Sequence, residues 1–144
     1  MRADRPGWHA WWVTVRCLLV DDNLHFLTAA RVLLEREGVA VVGTATAAAD
    51  ALHQAADLRP DVTLVDIGLG DESGFDLARQ LAAGSDPAPV IMISTHAQDD
   101  YATLLATSPA LGFISKITLS ARAIHDVLAG GGPAAPPVSE PRGR

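Results

Sequence analysis

A short apolar stretch that ends on a carboxylate constrains the fold of this chain more than any other feature. Its sequence is Asp61-Val-Thr-Leu-Val-Asp66-Ile-Gly-Leu-Gly70. The apolar run is too short for a helix, and Arg59-Pro60 before it and two glycines after it predict a strand buried on both faces of a parallel sheet. Such strands present ligands at their carboxyl ends. Asp66 therefore either faces a ligand crevice or caps a turn, because an unpaired carboxylate in an apolar setting is strongly disfavoured.

Strand patterns and helix patterns alternate along the rest of the chain. The predicted strands span residues 13–20, 39–44, 61–66, 90–94 and 112–115, and the predicted helices span residues 24–34, 47–58, 75–83, 99–107 and 121–128. Connection rules favour a single parallel sheet with right-handed crossovers and helices on both faces. The predicted fold class is therefore α/β, a doubly wound five-stranded parallel sheet with five helices.

Composition limits both the organisation of the chain and its partners. We expect one domain at residues 13–129, a disordered leader at residues 1–12 and a disordered tail rich in Gly, Pro and Ala at residues 130–144. The net charge of -6 argues against direct nucleic-acid binding, which depends on clustered Lys and Arg. Cys17 is the only cysteine, so no internal disulfide is expected. With no signal peptide or apolar membrane span in the pattern, we expect a cytoplasmic protein without a membrane partner.

Polar side chains stand at the ends of four predicted strands. These side chains are Asp21 and Asp22, Asp66, Ser94, and Lys116. Because the carboxyl ends of parallel strands share one edge of a sheet, we expect them to lie close together. Three neighbouring carboxylates raise one another's pKa values unless a cation neutralises them, which predicts a hard divalent ion. Mg²⁺ suits such a site, since it is typically held by one or two carboxylates, waters and a phosphate oxygen.

This arrangement leaves room for a phosphoryl group on Asp66. A carboxylate can act as the nucleophile that forms an aspartyl phosphate. The metal and Lys116 would then offset the charge of the transferring group, and Ser94 would donate a hydrogen bond to the new phosphate.

Together these segments resemble the receiver domain of response regulators over roughly residues 13–129. The segments that carry the resemblance are Leu18-Leu-Val-Asp-Asp-Asn23, the stretch from Asp61 to Leu69 with Ser73-Gly-Phe75, Ile91-Met-Ile-Ser94, and Gly112-Phe-Ile-Ser-Lys116. The resemblance implies a flavodoxin-like sheet with strand order 2-1-3-4-5. It also implies that Asp66 accepts the phosphoryl group, and that Mg²⁺ is held by Asp21, Asp22, Asp66 and the backbone carbonyl of Gly68.

The resemblance further implies how the site signals. Lys116 would bind the phosphate, Ser94 would turn toward it, and Phe113 would be the switching aromatic residue. The phosphodonor would be a sensor histidine kinase or a phosphotransfer protein. The chain would be an acceptor with slow self-dephosphorylation and not an enzyme. Because no output domain is expected, it would act in trans on a downstream protein, or as a homodimer, through the fourth helix, the fifth strand and the fifth helix.

Three positions depart from the family pattern. Ile117 replaces the usual Pro after Lys116, Thr95 replaces a small residue after Ser94, and Gly70 replaces the usual Pro of the loop after Asp66. The departures at 95 and 117 leave open an alternative, a receiver-like interaction module that works without phosphorylation. A small Mg-dependent phosphohydrolase is a second alternative, although Gly68 stands where such enzymes usually carry a second acid. A flavodoxin-like cofactor binder is disfavoured because the carboxylates would repel a cofactor phosphate.

Overall fold

Seven strands and five α-helices form the part of the chain that the structure, a computed structural model, describes, which is residues 14–130. In chain order the elements are β1 (Arg16–Val20), α1 (Leu24–Arg36), β2 (Ala40–Ala45), α2 (Ala48–Leu58), β3 (Val62–Asp66), β4 (Gly68–Leu69), β5 (Glu72–Ser73), α3 (Gly74–Ala82), β6 (Val90–Ser94), α4 (Ala102–Thr107), β7 (Gly112–Ser115) and α5 (Ala121–Leu128). Two 3₁₀ turns, Gln98–Tyr101 and Lys116–Thr118, precede α4 and α5.

The main sheet is parallel throughout, with the order β2-β1-β3-β6-β7. Since β4 and β5 lie outside it, this order is the predicted 2-1-3-4-5, and the predicted fold class is confirmed. The order reverses direction at β1 and β3, which are neighbours although α1, β2 and α2 separate them in the chain. Ligand crevices of doubly wound sheets form at such a switch point, outside the carboxyl ends of the strands.

The central strands are buried on both faces, which explains why they are continuous apolar runs and not alternating ones. Within β1, Cys17 and Leu19 face a core layer shared with α1 and α5, while Leu18 and Val20 face the layer shared with α2 and α3. All four side chains are fully buried. Each buried Leu or Val of this kind stabilises the fold by about 1.5–3 kcal/mol, so the strand ends are held by a rigid frame.

The structure differs from the sequence prediction in two connections. Residues 68–74, predicted as a loop, contain the two-stranded antiparallel hairpin β4–β5, in which Gly70 turns the chain at φ +64°. Two-residue strands are too short to show a sequence period. The predicted helix at residues 99–107 begins as a 3₁₀ turn, and its N-cap residue Ala97 makes no side-chain cap bond. An uncapped first turn commonly tightens in this way.

The predicted leader and most of the predicted tail lie outside the described residues, as does Val13 of the first predicted strand. Within residues 14–130, no helix is both long and apolar enough to span a membrane. Cys17 is a free, buried thiol, and its burial raises the pKa of the thiol.

Candidate functional site

Three carboxylates from two adjacent strands converge at the carboxyl edge of the sheet. Asp66 ends β3, and Asp21 and Asp22 directly follow β1, whose Val20 is the register partner of Val65. One oxygen from each carboxylate lies within 4.8 Å of the other two. The expectation that these strand ends meet therefore holds for all three acids.

Asp21 is the most deeply placed of the three, with no exposed surface. Its Oδ1 accepts a hydrogen bond of 2.8 Å from the backbone N–H of Asn23. Its Oδ2 accepts no hydrogen bond of ordinary angle, although Lys116 Nζ lies only 2.5 Å away. That contact is an ion pair, since Coulomb attraction does not require hydrogen-bond geometry. A buried oxygen with spare acceptor capacity suits a cation ligand.

Burial and neighbouring negative charge both act on the carboxyl group of Asp66. Burial, followed by repulsion from Asp21, raises the pKa of Asp66 from 3.8 to about 6. Lys116 Nζ, 3.5 Å from Asp66 Oδ2, opposes this rise but does not cancel it. Bound cations relieve such mutual repulsion. The residues present therefore fit a hard divalent cation with oxygen ligands.

Lys116 is held at the site from both ends of its side chain. Its backbone opens the 3₁₀ turn Lys116–Thr118, where Ser115 Oγ accepts a hydrogen bond from the N–H of Ile117. Its ammonium contacts Asp21 and Asp66, and it lies 4.4 Å from the centre of the Phe26 ring. The side chain is only 11% exposed. The sequence predicted the contacts of Lys116 with the acidic residues but not its contact with Phe26. The only sign of Phe26 in the sequence was an aromatic residue about one helical turn after the acidic pair.

Ser94 lies at the same edge of the sheet. It follows Ile93, the register partner of Asp66, and pairs with Ser115, the residue before Lys116. Its hydroxyl is buried, and the oxygen accepts a 3.0 Å hydrogen bond from the N–H of His96. The hydroxyl proton thus remains available for donation to another acceptor.

His96 connects this hydroxyl to the start of the fourth helical segment. Its Nδ1 lies 3.3 Å from the hydroxyl oxygen of Tyr101, and the two rings meet edge to face. The Tyr101 ring also packs against Phe75. His96 itself is exposed. The contact with Tyr101 was not visible in the sequence because it depends on the 3₁₀ turn.

Phe113 lies in the strand predicted for it, whereas Gly68, predicted to lie in a loop, opens a two-residue strand. Phe113 is buried on β7, where it is the register partner of Met92. Gly68 opens β4 two residues after Asp66 and pairs with Ser73. The switching role of Phe113 and the metal-ligand role of the Gly68 carbonyl remain predictions.

The hairpin β4–β5 is anchored beside the acidic residues. A Cβ on Gly70 would lie 3.5 Å from Asp22 Oδ2, so the turn of the hairpin closely approaches the second acid. Glu72 Oε1 accepts a 2.9 Å hydrogen bond from the N–H of Ala48 and so caps α2, whose N-cap Ala47 has no side-chain acceptor. Gly74 packs so tightly that a Cβ there would lie 2.0 Å from the carbonyl oxygen of Asp66. The backbone around Asp66 is therefore closely confined.

The residues at the departures 95 and 117 are both exposed to solvent. Thr95 is exposed, and Ile117 is 83% exposed, the largest value among the exposed large apolar residues of the described chain. Asp66, Ser94 and Lys116, for which the sequence predicts chemical roles, all lie at this edge of the sheet.

Comparison with known proteins agrees with this architecture. Residues 17–129 match the model of the response regulator receiver domain. The chain is similar to the response regulator GacA of Pseudomonas aeruginosa, at 31% identity over 81% of this chain and 56% of that protein. It is also similar to the sensory transduction protein LytT of Bacillus cereus, at 36% identity over 71% of this chain and 41% of that protein. The chain spans about half the length of these curated relatives.

Solved structures show the same fold. A LuxR-family two-component response regulator from Aurantimonas sp. SI85-9A1 superposes with a TM-score of 0.74 at 26% identity, covering 86% of this chain and 91% of that one. A response regulator protein from Burkholderia pseudomallei, solved with a phosphorylated aspartic acid, a calcium ion and citrate, superposes with a TM-score of 0.70 at 26% identity, covering 81% and 68% of the two chains.

Proposed function

The chain belongs to the response regulator receiver domain family, and from that premise we propose that it is a phosphoacceptor, phosphorylated on Asp66 by a histidine kinase or phosphotransfer protein in the presence of Mg²⁺. One observation carries the proposal. The oxygens of Asp21, Asp22 and Asp66 lie within 4.8 Å of one another, and the Lys116 ammonium lies 3.5 Å from Asp66. The structure from Burkholderia pseudomallei, with its phosphorylated aspartic acid and calcium ion, supports the same chemistry in a similar fold.

In the proposed step, an Asp66 carboxylate oxygen attacks the phosphorus of a phosphohistidine. The new P–O bond forms as the P–N bond breaks, and the electron pair of that bond returns to the imidazole. Because the pKa of Asp66 is about 6, the carboxylate is mostly ionised at neutral pH and can act as the nucleophile. Mg²⁺ would be held by Asp21, Asp22, Asp66 and the Gly68 carbonyl, and it would supply neutralising charge for the transferring group.

Lys116 and Ser94 complete the proposed phosphate site. The ammonium of Lys116 offsets negative charge on the phosphoryl oxygens. The Ser94 hydroxyl turns toward the phosphate and donates its proton in a hydrogen bond. That movement would strain or break the bond that Ser94 accepts from His96, which in turn contacts Tyr101. Repacking of Phe113 beneath this segment would follow.

The face altered by this change includes the 3₁₀ turn before α4, strand β7 and helix α5. A shallow groove of about 370 Å³ lies there, and its lining includes Gln98, Phe113, Thr118 and Val127. We propose that a downstream protein, or a second copy of the chain in a homodimer, binds this face in trans in the cytoplasm. Phosphorylation would shift the population of the binding-competent state through its differential contacts.

Phosphorylation with acetyl phosphate or a cognate kinase, in the presence of Mg²⁺, tests the proposal. The wild-type chain and Asp57→Asn, which alters an exposed aspartate on α2, should both become labelled. Asp66→Asn should not, and full labelling of that variant would refute the assignment. The phosphoryl group on the wild-type chain should be lost slowly without added phosphatase. Spectra that do not change on addition of Mg²⁺ and beryllofluoride, a phosphate mimic, would instead favour an interaction module that works without phosphorylation.

A further inference from the structure

The ring of Phe26 lies under the ammonium of Lys116. The Lys116 Nζ is 4.4 Å from the ring centre, within the range in which an aromatic face attracts a cation. Phe26 is partly buried and packs against the core layer between the sheet and helices α1 and α5. The ring is therefore supported from below while its upper face is turned to the lysine.

The position of this ring is tied to the position of the acidic pair. Asp21 Oδ1 accepts the N–H of Asn23, and Asn23 Oδ1 accepts the N–H of Phe26 at 3.1 Å as the N-cap of α1. These two consecutive hydrogen bonds place the first turn of α1 relative to Asp21. The backbone that carries the ring is therefore held close to the carboxylate cluster.

Lys116 needs such a support because its other contacts are with the proposed metal ligands. Its ammonium is paired with Asp21 and Asp66. A divalent cation on the same carboxylates would weaken both pairs, and a lysine side chain has four flexible carbons over which to move away. The Phe26 ring attracts the ammonium without offering a carboxylate for which the metal competes.

We infer that Phe26 is a positioning residue, whose ring holds the Lys116 ammonium at the acidic edge of the sheet where it can meet a phosphoryl group. The inference rests on the proposed function for its effect on phosphate binding. The placement of the ammonium over the ring is a separate, directly observable property. The lysine NMR signals report on the placement of the ammonium, and the beryllofluoride affinity reports on phosphate binding.

The first test uses the fact that Lys116 is the only lysine in the 144-residue sequence. Isotope-labelled lysine incorporated into the full chain therefore gives one set of side-chain NMR signals. We expect the ε-methylene proton signal of the wild-type chain to lie upfield of free lysine because of the ring current of Phe26. Phe26→Leu should abolish this shift, and Phe26→Tyr should keep it. An unshifted wild-type signal, or one unchanged in Phe26→Leu, would overturn the inference.

The second test measures beryllofluoride affinity at saturating Mg²⁺. Phe26→Leu should weaken binding about 3- to 10-fold, and Phe26→Tyr should bind like the wild type. In a Lys116→Met background, Phe26→Leu should cause no further loss, because the ring then has no ammonium to hold. An equal loss in both backgrounds would show a general structural role and would overturn the inference. Failure of the wild-type chain to bind beryllofluoride would refute the proposed function, while the lysine signal would still report whether the ring holds the ammonium.

Discussion

Replacing Asp66 by Asn should stabilise the metal-free protein at neutral pH, although it removes the proposed reacting group. The carboxyl pKa is about 6 in the folded state against an ordinary value of 3.8. At this carboxyl group the folded state therefore binds more protons than the unfolded state between these two values, and its contribution to stability must fall as pH rises through that window. The difference between the two pKa values corresponds to a loss of at most about 3 kcal/mol in the free energy of unfolding above pH 6. Asp66→Asn removes this cost because its amide does not ionise.

The assay is urea unfolding followed by circular dichroism across the range from about pH 4 to pH 8 without divalent cations. At the alkaline end we expect Asp66→Asn to be more stable than the wild type by about 1–3 kcal/mol, and at the acidic end the two proteins should converge. Asp57→Asn, an exposed control on α2, should stay within about 0.5 kcal/mol of the wild type at every pH.

Mg²⁺ should reduce the difference in stability between Asp66→Asn and the wild type, since a cation bound to the folded wild type stabilises it by mass action. The reasoning is wrong if Asp66→Asn is less stable than the wild type at the alkaline end, or if the difference between them does not vary with pH. Either result would mean that burial and repulsion from Asp21 do not control the ionisation of Asp66.

Three further predictions concern the surroundings of Asp66. Gly74→Ala should destabilise the fold by about 1–3 kcal/mol in urea unfolding, because its Cβ would lie 2.0 Å from the Asp66 carbonyl oxygen. Gly68→Ala, where a Cβ meets nothing within 4 Å, is the matched control, and equal losses would contradict the packing argument. In thermal unfolding, Glu72→Ala should lower the free energy of unfolding by about 1 kcal/mol because α2 loses its cap. Glu72→Gln keeps an acceptor oxygen and should lower it by less. Lys116→Met should tighten Mg²⁺ binding about tenfold in calorimetric titration because a neighbouring positive charge is removed, and weaker binding would argue against a shared site.

Much of the fold was predictable from local patterns. Continuous apolar runs such as Val90–Ser94 indicate strands buried on both faces, and their alternation with helix patterns leaves a parallel sheet as the natural solution. The hairpin β4–β5 was not predictable, since two-residue strands carry no period and are held by neighbours such as the N-terminus of α2. The 3₁₀ turn at Gln98–Tyr101 was missed for a similar reason, because it has no side-chain cap in the sequence to mark it.

Some features of the candidate site were likewise predictable from the sequence, and others were not. Asp66 and Lys116 stand at strand ends, and the rule that parallel strands share their carboxyl edge brings them together before any coordinates are known. Phe26 stands on a helix, and a helix can rotate and slide over a sheet, so its contact with Lys116 follows only from the packing of α1. The Ser94, His96 and Tyr101 contacts likewise depend on how one turn closes.

The sequence by itself determined which chemical groups reach the edge of the sheet, because each strand end is set by its own apolar run and by the connection rules of parallel sheets. The tertiary structure decided how strongly those groups interact. Whether Asp21 is wholly buried, whether the pKa of Asp66 rises to about 6, and whether a ring supports the only lysine all depend on distances between residues far apart in the chain. Electrostatic energy varies with distance and with exclusion of water, and both are properties of the packed molecule.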